Sequence, residues 1–135
     1  MVIGRVLVPG SAEGRLLRLR APISLWGGVD PRSGAIIDPR HPDYGTSITG
    51  MVLAMPGGVG SSSSSAIMLE LLREGTAPAA VIMEYADAIL ALGVLVSIEL
   101  GHPACPVLEV ELTALDEFSE GALLTITSEG RVLRP

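Results

Sequence analysis

The stretch Gly57-Gly58-Val59-Gly60, followed directly by Ser61-Ser62-Ser63-Ser64-Ser65, is where the sequence concentrates groups able to do chemistry. Glycines let a backbone approach a ligand closely, and serine hydroxyls can cap a helix or donate to a carboxylate or phosphate. An apolar run precedes the stretch and a helical pattern follows it. Backbone N–H groups and about half a positive charge from the helix end would then converge on one point, which makes an anion site. A serine placed there can also take a carbon-bound proton, if amides and an adjacent cation stabilise its alkoxide. The stretch lacks both the Gly-Lys-Ser/Thr of a nucleotide P-loop and the Gly-x-Gly-x-x-Gly of a dinucleotide site. Five serines alone also describe a cap followed by a flexible low-complexity loop. Their place between a strand and a helix, where connections of about 2 to 6 residues are the norm, favours a built site. His41 is the nearest candidate imidazole, although a lone histidine before proline is more often structural. His102 precedes Pro103 at an expected helix end, where a cation is favoured anyway.

Composition narrows the chemistry further. The chain has 15 acidic residues against 9 basic ones, all arginine, for a net charge of −6. That argues against a nucleic-acid surface, and the lack of lysine excludes a Schiff base or a P-loop lysine. Cys105 is the single cysteine, so this chain's thiolates alone support no internal disulfide and no iron–sulfur or zinc site. Residues 1–5 lack the pattern of a secretory signal, and no apolar run approaches the roughly 18 residues of a bilayer span, so a cytoplasmic protein without membrane contact is expected. A chain of 135 residues, 48% of them hydrophobic, is expected to form one domain over 1–135. So apolar a surface is also expected to meet another chain.

These groups need a scaffold. Short apolar runs at 6–8 and 16–19 flank a Pro-Gly turn and predict two strands. From 22 to 45 the chain is irregular and rich in proline and glycine, with Trp26 and Ile36-Ile37 to pack it. Residues 48–55 predict a buried strand, and 66–74 a core helix with Glu70, Arg73 and Glu74 on its wet stripe, closed by Gly75 and Pro78. Residues 79–83 predict a strand, after which Asp87 caps a second helix over 88–100 that Gly93 can break. A strand at 106–110 and a hairpin of 123–127 with 131–133 complete an α/β or α+β domain.

The segments Pro22-Ile23-Ser24-Leu25-Trp26-Gly27-Gly28-Val29-Asp30-Pro31, Gly34-Ala35-Ile36-Ile37-Asp38, His41-Pro42 with Gly45, Gly60 with its serines, and Ala77-Pro78-Ala79 together resemble the aconitase X swivel domain. The resemblance runs from Gly4 to about Leu108, and Trp-Gly-Gly-Val-Asp-Pro is its most specific part. It implies an α/β fold, a swivelling β/β/α barrel-like domain similar to the mobile domain of aconitase. It also implies a hydro-lyase split between a large subunit carrying an iron–sulfur cluster and a small swivel subunit that closes over a hydroxy acid, of the cis-3-hydroxy-L-proline or 5-phosphomevalonate class. In the wider superfamily a serine directly after glycine in this loop is the base; the matching position is Ser61, with Ser62 the adjacent alternative. Gly60, Ser63, Asp30 and His41 are then the expected substrate-binding residues. Many relatives carry a basic residue before that glycine, whereas here Val59-Gly60 leads into serine alone, which leaves the substrate open.

The residues by themselves leave two other readings open: a stand-alone carboxylate- or phosphate-binding module without catalysis, and a purely structural assembly subunit. In the Trp26 block, Trp26 reads as a packing residue, Gly27-Gly28 as a turn, and Asp30 as the cap of a turn before Pro31. Asp38 and His41, in one proline-rich loop, are placed to meet a partner chain or orient the serine loop.

Overall fold

The apolar runs in the middle of the chain become the buried ladder that carries the site. In the computed structural model, which describes residues 1–57 and 63–135, β3 (Ala12–Arg18), β4 (Val52–Met55), β5 (Ala80–Met83) and β6 (Val107–Glu109) run parallel in that order. β4 and β5 are buried at every position, with one face against helices and the other inside a barrel, so they read as unbroken apolar runs. Leu53, Met55, Val81 and Met83 join a helix-side core with Met68, Leu71 and Leu90. Their neighbours Val52, Ala54, Ala80 and Ile82 point into a second core with Leu16, Leu124 and Val132.

The other strands nearly close the sheet. β7 (Leu123–Ile126) pairs antiparallel with β3 and with β8 (Arg131–Leu133), as the terminal hairpin predicts. β1 (Val2–Ile3) pairs with β8 and β2 (Arg5–Val8) with β6, so these two are the ends of an eight-stranded sheet. Only Gly4 separates them, and one N-terminal segment thus bonds both edges of the barrel-like sheet. A Cβ at Gly4 would lie 2.6 Å from Val110 Cγ2. The 3₁₀ helix Leu112–Glu117 delivers Leu115 to the barrel core.

On the other face lie a short turn, α1 (Leu25–Gly28), and two helices, α2 (Ser64–Glu74) and α3 (Ala88–Glu99). The strand expected over 48–55 begins only at Val52, because Gly50 takes φ 70° and turns the chain. α2 starts two residues before the expected 66, with Ser64 and Ser65 helical, and ends at Gly75 (φ 78°) as expected. Asp87 caps α3, accepting from the Ile89 and Leu90 amides at 2.9 and 3.2 Å. The break allowed at Gly93 is absent. α3 crosses α2 there, and a Cβ would stand 2.5 Å from the Ser65 carbonyl oxygen and 3.1 Å from Met68 Cβ. The glycine lets two helices approach closely.

Candidate functional site

β4 lies inside the parallel ladder, and the crevice at the carboxyl ends of parallel strands is where α/β folds bind ligands. From β4 the chain passes Pro56 and Gly57, and it opens α2 after Ser63. Gly60, Ser61 and Ser62 lie outside the described residues. Ser63 lies inside, its carbonyl accepting from the Ile67 amide at 3.1 Å. The strand exit is held from β5: the Glu84 amide donates to the Met55 carbonyl at 3.2 Å and the Tyr85 amide to the Pro56 carbonyl at 3.0 Å. Exposed Tyr85 therefore stands beside the exit. Nothing about a lone tyrosine after a strand marks it in the sequence.

The segment after β3 forms a cleft of its own, with α1 touching α2. The Leu19 amide donates to the Ala54 carbonyl at 2.9 Å, holding the chain on β4 beyond the end of its own strand. In α1 the backbone leaves helical geometry at Trp26 (ψ 116°) and Gly27 (φ 74°). Trp26, expected to pack, is instead 61% exposed. With Ser24, Gly27, Gly28, Asp38, Pro39 and Arg40 it lines an open cleft of about 470 Å³. The Arg40 backbone amide and Nε donate to Asp38 Oδ1 at 3.0 and 3.4 Å. The backbone bond is the main reason the Asp38 carboxyl sits below the usual carboxylate range, with the guanidinium and His41 adding to it.

A polar cluster in the same segment centres on two buried side chains, Asp43 and His41. Asp43 accepts from the Arg20 amide at 2.8 Å and from Arg20 Nε at 2.9 Å, while the same guanidinium donates to the Pro42 carbonyl. Burial opposes the Asp43 charge, but the Arg20 amide and guanidinium, together with His41, outweigh it and hold the carboxyl below its ordinary value. His41 is only 7% exposed. Its Nδ1 accepts from the Asp43 amide at 3.0 Å, so Nε2 carries the proton that it donates to the Ala21 carbonyl at 3.0 Å. Nε2 ties this loop to the segment at Ala21, while Nδ1 closes the loop on itself. Asp30 is also used locally: Oδ1 accepts from the Arg32 amide at 3.0 Å and Oδ2 from Ser33 Oγ at 3.2 Å, closing the turn that Asp before Pro predicts. Sequence reasoning missed Arg20 and Asp43.

Among the described residues no three His, Cys, Asp or Glu side chains gather as metal ligands. Cys105 is buried, and burial pushes its thiol up to about 12, the opposite of what a thiolate ligand needs. The iron–sulfur cluster that the resemblance implies does not fit this chain's own donors. Among the same residues no helix is long and apolar enough to cross a membrane.

A family model described as the aconitase X swivel domain matches residues 1–134. The chain is 47% identical over 107 residues to the cis-3-hydroxy-L-proline dehydratase of Pseudomonas aeruginosa, a match covering 79% of this chain and 18% of that one. It is 46% identical over 94 residues to the phosphomevalonate dehydratase small subunit of Pyrococcus furiosus, covering 70% of each. It is similar to the crystal structure of Thermococcus kodakaraensis aconitase X in its holo form, with a TM-score of 0.84 at 31% identity over 96% of this chain and 94% of that one. The chain thus spans a minor part of the bacterial relative and most of the archaeal chains.

Proposed function

The chain belongs to the aconitase X swivel-domain family, and from that premise we propose that it is the small subunit of a cytoplasmic hydro-lyase that dehydrates a hydroxy acid, of the cis-3-hydroxy-L-proline or 5-phosphomevalonate class. The observation that supports this best is the junction of β4 with α2. A glycine- and serine-rich connection leaves a buried parallel strand at its carboxyl end and returns at a helix N-terminus, where an acid's carboxylate or phosphate is stabilised by amides and the helix dipole. Ser61, with Ser62 as the adjacent alternative, takes the proton α to the carboxylate, and Gly60 and Ser63 shape the cradle. The alkoxide that this role requires is stabilised by neighbouring N–H donors, each worth about 3 to 4 kcal/mol in comparable oxyanion sites. Asp30, whose carboxylate closes its own turn, and His41, which ties its loop to Ala21, hold the segment around the Trp26 cleft in place.

The iron–sulfur cluster is assigned to a large subunit, which must bring the thiolates this chain lacks. This chain's share is to bind and orient the acid, to exclude water by closing over it, and to move one proton. The test is to combine the chain with its large subunit, reconstitute with iron and sulfide, and screen cis-3-hydroxyproline and 5-phosphomevalonate. Dehydration of one of them is expected. A chain that neither associates with the large subunit nor alters its turnover would overturn the reading.

A further inference from the structure

α3 is aliphatic almost all round: from Ala88 to Ile98 it carries no charged residue. Leu90, Ala91, Gly93, Val94 and Ser97 are buried in the fold, yet the opposite side exposes Ile89, Leu92, Leu95 and Ile98, each between 40% and 51%. A surface helix of a globular domain ordinarily puts polar side chains there. Its neighbour α2 does so, with Arg73 ion-paired to Glu70 and Glu74.

The bare face is continuous with the candidate site at two points. At its N-terminal end stands Tyr85, whose amide holds the β4 exit. Along its flank, Gly93 leaves a groove of about 230 Å³ between α2 and α3, lined by Ser65, Ala66, Leu69, Leu92 and Val96 and beginning in the first turn of α2. That groove suits one inserted aliphatic or aromatic side chain. Size selects the occupant. The exposed aliphatic side chains of α3 amount to roughly 400 Å². Two copies meeting face to face would bury about twice that, short of the about 1,200 Å² of a stable interface. A large chain that covers this face together with the adjoining crevice reaches it, and in the bacterial relative the matched residues are 18% of one polypeptide, so there a much larger body is joined to them.

We propose that the outer face of α3 and the α2–α3 groove are the docking surface for the large subunit, which seats an apolar side chain in the groove and lies against the exit of β4. The proposal rests on the dehydratase reading above. Its test is the affinity of the full chain for its cognate large subunit. Leu92→Arg combined with Leu95→Arg should weaken it by about 100-fold or more, because two charges would be buried unpaired. The isolated variant should melt like wild type, since both side chains are solvent-exposed, and Leu123→Arg on β7 should leave affinity unchanged. Amide exchange over 88–98 should slow when wild type binds. A double variant that binds within about threefold of wild type, with no protection of 88–98, overturns the proposal. A dimer of the isolated chain that Leu92→Arg dissolves also overturns it, by giving the face to a second copy. If wild type itself fails to bind the large subunit, the dehydratase reading falls and the proposal with it.

Discussion

Replacing Gly93 by alanine sets two effects of opposite sign against each other. In an open helix alanine is favoured over glycine by about 1 kcal/mol. In α3 the added methyl would stand 2.5 Å from the Ser65 carbonyl oxygen and 3.1 Å from both the Ser65 carbonyl carbon and Met68 Cβ, where unstrained contacts lie at about 3.5 to 4 Å. Two of those atoms are backbone, so no side chain can swing aside, and the helices must part at their crossing by most of an ångström. Overpacking of this kind costs about 1 to 3 kcal/mol, and the layer of Met68, Leu90 and Val94 beneath it loosens as well. With backbone at 2.5 Å the cost lies toward the upper end of that range, about 2 to 3 kcal/mol, so after the helix gain Gly93→Ala should destabilise the chain by about 1 to 2 kcal/mol and lower Tm by about 4 to 7 °C. Urea titration reads this as a lower midpoint at unchanged slope. Because Ser65 lies in the first turn of α2, turnover of the two-chain enzyme should fall with it. A variant as stable as wild type would refute the close crossing and leave Gly93 as a mere weak point of the helix.

Asp43→Asn should cost about 1 to 2 kcal/mol at neutral pH, Arg20 being largely exposed. The Asp43 carboxyl is held below its ordinary value, so its contribution is fully present above the unfolded-state value of about 3.9 and is lost as pH falls through the lower folded one. Stability curves of wild type and variant should therefore converge below about pH 4, and curves that stay parallel into stronger acid would contradict the Arg20–Asp43 pair. Cys105, its thiol pushed up to about 12 by burial, should resist iodoacetamide at pH 8 in the folded chain and react once urea unfolds it. Mass spectrometry reads the adduct, and fast labelling of the native chain would show that the thiol is reachable.

Local chemistry was legible where it is local in fact. The cap at Asp87, the stop at Gly75 and the terminal hairpin follow from residue types over a few positions. Strand order was not, because the parallel pairing of β3 with β4 joins residues far apart in the chain, and burial of β4 and β5 on both faces erases the alternation that would orient them. Gly50 and Gly93 read alike in a sequence, as interruptions. One does turn the chain, and the other allows a helix crossing that only the position of Ser65 explains. At the site, the strand-to-helix placement of the serine run was visible, as was the turn of Asp30. The exposure of Trp26 depends on a backbone kink at Gly27, and the Arg20–Asp43 pair on two loops meeting, so neither leaves a local signal. Family membership came from the residues of the Trp26 block, which are specific as a set.

The serine that takes the proton carries the proposed dehydration. With the two chains reconstituted and the dehydrated acid in hand, kcat should fall by about 10² to 10⁴ for Ser61→Ala or, if the neighbour is the base, for Ser62→Ala, while association with the large subunit and the melting temperature stay at wild-type values. Near-normal turnover in both variants would contradict it and would remove the serine loop from the chemistry.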